Sequence, residues 1–113
     1  MHELGMATEL VAQVGEIARR EGASRIARIE VSIGALSGVD REAFAFVFPI
    51  AAEDSLAAGA VLDIEEVPLV VECRACGAST KPEYPFVLCA ACASGDVAIV
   101  SGEEFRIIAM EVE

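Results

Sequence analysis

The sequence predicts an α+β fold, in which two helices and a three-stranded sheet form a small domain that carries an inserted four-cysteine unit. Three patterns predict this fold. Apolar residues recur at helical spacing near the N-terminus, they alternate with polar residues further along, and all four cysteines lie between two predicted strands. With 113 residues, 55% of them hydrophobic, the chain can bury one modest core.

The first predicted element is an amphipathic helix over residues 3–21, which Gly22 ends. Its apolar positions recur every three or four residues and form the side that faces the core: Ala7, Leu10, Val11, Val14, Ile17 and Ala18. Residues 1–3 therefore form the start of a helix. The free N–H groups and the positive dipole end of a helix start influence any ligand bound nearby.

A strand and a second helix follow. Apolar and polar residues alternate over residues 27–33, which predicts a half-buried strand. Turn residues occupy positions 34–40, and Asp40 is well placed to cap a helix that begins at about Arg41. Pro49 lies inside that helical pattern, so we expect a kink or a break there.

Two further strands are predicted over residues 60–67 and 104–112. The cysteine segment lies between them and is therefore an insertion. We predict that residues 1–68 together with 102–113 form the α+β domain, and that residues 69–101 form a second, metal-dependent domain.

The four cysteines form two C-x-x-C pairs, Cys73 with Cys76 and Cys89 with Cys92, and twelve residues separate the pairs. This spacing is typical of a tetrathiolate zinc site, where both sulfurs of each pair reach one ion at about 2.3 Å. Two such turns make a zinc ribbon. Because a four-cysteine site is closed, its zinc is expected to stabilise the fold and not to perform chemistry.

Two disulfides, a redox C-x-x-C and an iron–sulfur cluster are the alternatives for these cysteines. Disulfides belong to oxidising compartments, but Glu3 and Glu9 lie where a secretory signal would be basic, and no long apolar run follows. We therefore expect a cytoplasmic chain with reduced thiols. A redox function would need only one C-x-x-C pair and would not explain the other, so zinc fits the pattern best.

The charge of the chain bears on its partners. Its 19 acidic and 8 basic residues give a formal charge of −11, and residues 69–101 contain only Arg74 and Lys81 as bases. Zinc ribbons that bind nucleic acid neutralise phosphates with lysine and arginine, so nucleic acid is not an expected partner. Anionic membranes are disfavoured for the same reason, and the sequence has no run of about 18 apolar residues that could cross a bilayer.

The only histidine is His2, directly after Met1. The α-amine of Met1, the amide nitrogen of His2 and the imidazole can close on one metal ion in fused five- and six-membered rings. Such nearly coplanar nitrogen donors suit Ni(II) or Cu(II) before Zn(II). Since His2 is not small, we expect Met1 to be retained. A terminal histidine can also be a solvated side chain on a fraying end, and His2 alone does not decide between the two.

Several segments together carry a family resemblance: Met1-His2-Glu3-Leu4, Ile33-Gly34-Ala35-Leu36-Ser37-Gly38-Val39-Asp40, Ile64-Glu65-Glu66-Val67-Pro68, the C-x-x-C pairs and Ser101-Gly102-Glu103-Glu104. In their order and distances they resemble the HypA/HybF family of hydrogenase nickel-incorporation (maturation) proteins, over nearly the whole chain. The sequence departs from the family pattern at Ala90, where proline is frequent. It also departs at Ala93, which replaces the glycine that Gly77 supplies in the first pair.

The resemblance implies a nickel metallochaperone with a structural zinc site. Such proteins bind Ni(II) at the N-terminus and deliver it to the large subunit of [NiFe] hydrogenase with a GTPase partner, and in some organisms they also serve urease maturation. By the same resemblance, residues 1–68 and 102–113 form the nickel-binding domain and residues 69–101 form the zinc ribbon.

The resemblance also assigns individual residues. His2 supplies the imidazole, and the backbone nitrogens of Met1, His2 and Glu3 complete the nickel plane. The Glu3 side chain becomes a group that recognises a partner or supports the ligands. Asp40 becomes a candidate extra carboxylate near the nickel, with helix capping as its alternative. Zinc is held by Cys73, Cys76, Cys89 and Cys92.

Nothing in the sequence predicts an enzyme, because a nucleophilic cysteine needs a nearby base and the one histidine lies far along the chain from the cysteines. Two other functions compete with nickel delivery. One is a zinc-ribbon protein–protein interaction module in which metal binding at His2 is incidental. The other is a copper or general metal buffer, since Cu(II) binds nitrogen donors more tightly than Ni(II).

Overall fold

The computed structural model describes residues 2–113, and Met1 with its predicted α-amine ligand lies outside the described residues. The elements follow one another in the order α1 (Glu3–Arg20), β1 (Ile26–Gly34), α2 (Arg41–Ala52), β2 (Val61–Val67), β3 (Val70–Cys73), β4 (Ser79–Thr80), β5 (Val97–Ser101) and β6 (Phe105–Val112). They form two three-stranded sheets, ordered β2-β1-β6 and β4-β3-β5. The predicted α+β class is confirmed, and the cysteines lie on the second sheet and its loops.

Strand β1 is the centre of the first sheet. It runs parallel to β2 and antiparallel to β6, and Ile29 is in register with Leu62 on one side and Met110 on the other. The parallel pair needs a crossover connection, which α2 provides. One face of the sheet packs against both helices around a buried core that includes Val14, Ala18, Ile26, Ile29, Val31, Ile33, Phe44 and Phe48.

The structure modifies one expectation about α2. Asp40 caps the helix as predicted, because its Oδ1 accepts a hydrogen bond from the amide of Ala43 at 3.0 Å. The predicted break at Pro49 does not occur, since α2 continues to Ala52. Pro49 lies in the last turn and faces solvent. The helix therefore loses a single hydrogen bond there, and only the three residues up to Ala52 follow the proline. Within residues 2–113, neither helix has the length and apolar content that crossing a membrane requires.

Two glycines meet where the first sheet joins the second. At Gly34, the last residue of β1, an added Cβ would overlap the carbonyl group of Gly102. Gly102 has a φ of +117°, which favours glycine, and a Cβ there would lie 2.9 Å from the Cα of Leu69. Leu36 donates its amide to the carbonyl of Gly102 at 2.7 Å. This close backbone approach fixes how the two sheets meet.

Glu104 stabilises the same turn. Its carboxylate accepts a hydrogen bond from the amide of Gly102 at 2.7 Å, and its carbonyl accepts one from the amide of Gly34 at 2.6 Å. The amide of Gly102, and then the amide of Glu104 itself, hold the pKa of this carboxyl below its usual range. Across the junction, the hydroxyl of Ser101 donates to the carbonyl of Pro68 at 2.9 Å.

Gly34→Ala should destabilise the protein by about 3 kcal/mol, because a methyl group cannot fit against the opposing backbone. Urea denaturation of the zinc-loaded protein measures this. Gly95→Ala is the control, since a Cβ at Gly95 meets nothing within 4 Å. Equal unfolding midpoints for the two variants would contradict the close contact.

Glu104→Gln should lower the unfolding midpoint at pH 7. The folded state lowers the pKa of Glu104 from the ordinary value of 4.5, so the ionised carboxylate stabilises the fold above that value. This stabilisation is lost as the pH falls through the lowered pKa, and the difference between wild type and variant should shrink below pH 4.5.

Glu103→Gln is the matched control for that series, because Glu103 is the exposed neighbour of Glu104. Both variants share any effect of acid on the cysteine cluster, so their comparison isolates the Glu104 carboxylate. A difference that stays constant from pH 7 to pH 3 would rule out the carboxylate as its origin.

Candidate metal sites

The four cysteine sulfurs form one cluster. The Sγ atoms of Cys73 and Cys92 are 3.6 Å apart, those of Cys76 and Cys89 are 3.7 Å apart, and all four lie within 4.8 Å of one another. A tetrahedral ion with bonds of about 2.3 Å places its sulfurs about 3.8 Å apart. A disulfide would instead join two sulfurs at about 2.0 Å. The thiols are free, and their spacing suits a single tetrahedral ion.

Each C-x-x-C pair forms the same turn around its first cysteine, because the carbonyl of Cys73 accepts a hydrogen bond from the amide of Gly77 at 2.9 Å and the carbonyl of Cys89 accepts one from the amide of Ala93 at 2.8 Å. The sulfurs of both cysteines also accept a hydrogen bond from an amide within the turn, at 3.4 Å. Both of these first cysteines are buried, whereas Cys76 and Cys92 are exposed. The repeated turn therefore places two sulfurs inside the ribbon and two at its surface, all facing one centre.

Backbone amides favour the thiolate form of the buried cysteines. The amide of Cys92 is the largest cause that lowers the pKa of Cys89, to about 6, although burial opposes it. The pKa of Cys73 is lowered chiefly by the amide of Cys76. Two of the four ligands are thus prepared for a cation by the fold itself.

The exposed cysteines resist ionisation when no cation is present. The amide of Ser94 lowers the pKa of Cys92, but the sulfur of Cys73 and burial outweigh it and raise that pKa to about 12. The pKa of Cys76 is also raised, because the amide of Ala78 is outweighed by the sulfur of Cys89 and by burial. A dication at the centre removes this penalty, since it compensates the crowded negative charge. The donor set therefore fits zinc.

The two turns differ in the residue that follows the second cysteine. Gly77 has a φ of +78° and Ala93 a φ of +65°, so both adopt the left-handed conformation. Glycine adopts it freely, but a residue with a Cβ is destabilised there by about 1 kcal/mol. The departure noted in the sequence at Ala93 is thus a strained position in the second turn.

Polar contacts tie the second turn to the rest of the ribbon. The hydroxyl of Thr80, in β4, accepts a hydrogen bond from the amide of Ala90 at 3.0 Å. Arg74, which lies within the first C-x-x-C pair, forms an ion pair with Asp96, just before β5. The distance between Nη1 and Oδ1 is 2.9 Å. Neither contact could be predicted from the sequence, because the partners are 10 and 22 residues apart and belong to no motif.

The N-terminal end of α1 exposes His2. Its carbonyl accepts the amide of Met6 at 3.1 Å and so starts the helix, but its side chain makes no capping hydrogen bond. His2 is exposed to solvent. The amide of Glu3 lies in the first turn, where helix geometry offers it no acceptor, so it can bind a ligand without breaking a helical hydrogen bond.

Glu3 connects this end of α1 to the start of α2. Its Oε2 accepts a hydrogen bond from the amide of Asp40 at 3.2 Å. The structure thus brings Glu3, which follows His2 in the chain, into contact with Asp40, 37 residues away. The carboxylate of Asp40 caps α2, as in the alternative that the sequence left open, and its role as a nickel ligand stays a prediction.

The fold and the cysteine cluster together define a class: small α+β metal-binding proteins with a tetrathiolate ribbon. Comparison with known proteins places the chain within this class. A family model described as hydrogenase/urease nickel incorporation, metallochaperone, hypA matches residues 1–112. The chain therefore belongs to the HypA family of nickel-incorporation metallochaperones, as the sequence resemblance predicted.

Individual relatives agree with this assignment. The chain is 45% identical to the hydrogenase maturation factor HypA of Chlorobium limicola over 113 residues, which are 100% of this chain and 97% of that protein. It is 41% identical to HypA of a Nostoc species over 113 residues, which are 100% of this chain and 96% of that protein. The solution structure of the Ni metallochaperone HypA from Helicobacter pylori superposes with a TM-score of 0.69 at 33% identity, covering 99% of this chain and 97% of that one.

Ala93→Gly should stabilise the zinc-loaded ribbon by up to about 1 kcal/mol, because glycine relieves the left-handed strain. Gly77→Ala should have the opposite effect of similar size. Zinc affinity, measured by competition with a chelator at pH 7, reports both changes because ribbon folding and metal binding are coupled. Ala91→Gly is the control in the same turn, at a residue without a positive φ, and an equal gain there would contradict the strain at Ala93.

Proposed function

We propose that this chain is a nickel metallochaperone that binds one Ni(II) at its N-terminus and delivers it for maturation of [NiFe] hydrogenase. Residues 1–68 with 102–113 would form the nickel-binding domain, and residues 69–101 would form a ribbon stabilised by zinc. Membership of a family of hydrogenase and urease nickel-incorporation proteins supports this proposal. The observation that carries it is the exposed His2 at the start of α1, with the Glu3 amide next to it.

Four nitrogens would bind the nickel: the imidazole of His2, the α-amine of Met1, and the amide nitrogens of His2 and Glu3, which would each release their proton to solvent. Nitrogen donors in a plane favour Ni(II) over Zn(II). A site at the surface with one side-chain ligand also suits a carrier, because the ion has to leave by ligand exchange. The cysteine cluster has no open coordination position once four sulfurs surround zinc, so it would stabilise the fold without taking part in transfer.

The Glu3 side chain would act as a positioning group. Its carboxylate accepts a hydrogen bond from the amide of Asp40. This contact fixes the N-terminal end of α1, which carries the proposed ligand amide of Glu3. Asp40 already caps α2 through Oδ1. Only the second carboxylate oxygen of Asp40 remains, and it could serve as a fifth ligand to the nickel. Asp40 is therefore the weaker candidate among the nickel ligands.

The partners in this proposal are a GTPase nickel-insertion protein and the hydrogenase large subunit, with urease maturation proteins as a further client. Free thiols in the cluster agree with a reducing compartment, and we propose the cytoplasm as the location. A charge of −11 favours basic protein surfaces as partners over nucleic acid or anionic membranes.

A Ni(II) titration tests the proposal. Zinc-loaded protein that begins at Met1 is compared with His2→Ala and with a form extended by Gly-Ser ahead of Met1, using calorimetry and visible absorption. The first protein should bind one Ni(II) with the absorption of a planar nitrogen site. His2→Ala should bind at least about tenfold more weakly with unchanged zinc content, because the imidazole is the one side-chain ligand.

The extended form removes the free amine and keeps His2. Weaker binding or a changed spectrum in that form identifies the amine as a ligand, whereas unchanged binding moves the site to His2, the Glu3 amide and Asp40. If the unextended protein binds no Ni(II), nickel delivery is excluded and the zinc-ribbon interaction module takes its place. Binding of Cu(II) with no transfer of Ni(II) to a partner would favour the metal buffer.

A further inference from the structure

The outward face of α2 exposes large apolar side chains. Phe46 is 71% exposed and Ile50 is 57% exposed, and the two lie one turn apart on the same face of the helix. Exposed Pro49 lies beside them, and the exposed carboxylates of Glu42 and Glu53 lie one turn beyond them at either end. We call these five residues the α2 stripe.

Folding does not account for the α2 stripe. The core side of α2 is formed by Phe44 and Phe48, which are 0% and 2% exposed. Phe46 is the most exposed large hydrophobic side chain among the described residues. An aromatic and an aliphatic side chain that are kept together in water on one helix face are typical of an interaction surface.

The charge around the stripe is negative. Glu42 and Glu53 flank it, and Asp54 follows directly. The one basic residue of α2, Arg41, is paired with Glu66 at 2.7 Å and lies at the opposite, sheet-facing side of the helix start. A partner that fits this surface therefore carries lysine or arginine on both sides of an apolar centre.

The backbone adds an acceptor to the same surface. Pro49 has no amide hydrogen, so the carbonyl of Ala45, one turn earlier, loses its donor within the helix. Ala45 is exposed. A lysine or arginine side chain can donate to this carbonyl, which agrees with the sign of the surrounding charge.

The helix that carries the stripe starts next to Glu3, one of the residues of the proposed nickel site. The first turn of α2 starts at Asp40, whose amide is held by the Glu3 carboxylate. A protein that lies along α2 therefore reaches the N-terminal end of α1, where His2 is exposed.

We propose that the α2 stripe binds a basic surface with an apolar centre on the protein that receives the nickel, the hydrogenase large subunit. That surface places apolar side chains against Phe46 and Ile50, and its lysine or arginine residues contact Glu42, Glu53 and the carbonyl of Ala45. The inference rests on the proposed function for the identity of the partner. Docking along α2 brings the acceptor to His2 and leaves the imidazole free to exchange its ion.

The experiment measures binding of zinc-loaded, nickel-free protein to the purified hydrogenase large subunit from the same organism. The double variant Phe46→Ser, Ile50→Ser should weaken this binding at least about tenfold, since exposed anchors of this kind dominate interfaces. Ile108→Ser is the control, because Ile108 is 46% exposed on β6, outside the stripe.

Charge is tested by a second matched pair. Glu53→Lys should weaken binding several-fold and reduce its dependence on salt. Glu21→Lys changes the corresponding residue at the end of α1 and should leave the affinity unchanged.

Wild-type affinity in the double variant, no binding of the large subunit to the wild type, or binding of the GTPase alone through the stripe overturns the inference. A change in the oligomeric state of the double variant, with partner affinity unchanged, also overturns it and assigns the stripe to self-association. The nickel titration on the same variants separates the two proposals: normal Ni(II) binding by a variant that has lost its partner supports both. If a partner binds through the stripe but the protein binds no Ni(II), the docking surface is supported and the nickel-carrier function is excluded.

Discussion

The contact between Gly34 and Gly102 is the constraint on which the arrangement of this molecule depends. At this point the central strand of the first sheet touches the connection that leads from the second sheet into β6, and neither residue has room for a Cβ. Two chain connections pass beside the end of β1 here, because β2 continues into β3 and β5 continues into β6. The carboxylate of Glu104 satisfies the amide of Gly102 in the same turn. The ribbon is therefore attached by two short, hydrogen-bonded strand connections and not by a flexible linker.

The cysteine cluster and the proposed nickel site follow opposite physical principles. In the ribbon, backbone amides, buried sulfurs and crowded thiols prepare four ligands that only a dication can bring together without a charge penalty. Such a site holds its ion and stabilises the fold. At the N-terminus, the exposed His2 imidazole is already in water, and the Glu3 amide has no acceptor in the helix, so in the proposed function both would be open to a metal ion at the surface. The proposed carrier would use both kinds of site, the cluster for folding and the N-terminus for exchange.

Helix α2 connects the N-terminal site with the rest of the molecule in three ways. Its inner face fills the core through Phe44 and Phe48, its start receives the carboxylate of Glu3, and its outer face presents the α2 stripe. It also supplies the crossover between the parallel strands β1 and β2, so its position is fixed by the sheet. In the proposed function, this helix would support a partner that takes the ion from His2, because the start of α2 is bound to Glu3, the neighbour of His2.

The sequence by itself determined the α+β class, the order of the main elements, the four-cysteine cluster and the candidate status of His2. These depend on local periodicity and on ligand spacing within short turns, which one chain displays directly. It did not show the two-residue strand β4, the passage of α2 through Pro49, or the contacts of Glu3 with Asp40 and of Thr80 with Ala90. Only the tertiary structure decided these, because each joins positions that are distant in the chain or depends on which face of a helix is covered. The strain at Ala93 needed both sources. The sequence showed that alanine replaces glycine there, and the structure showed that this position has a positive φ, which disfavours alanine.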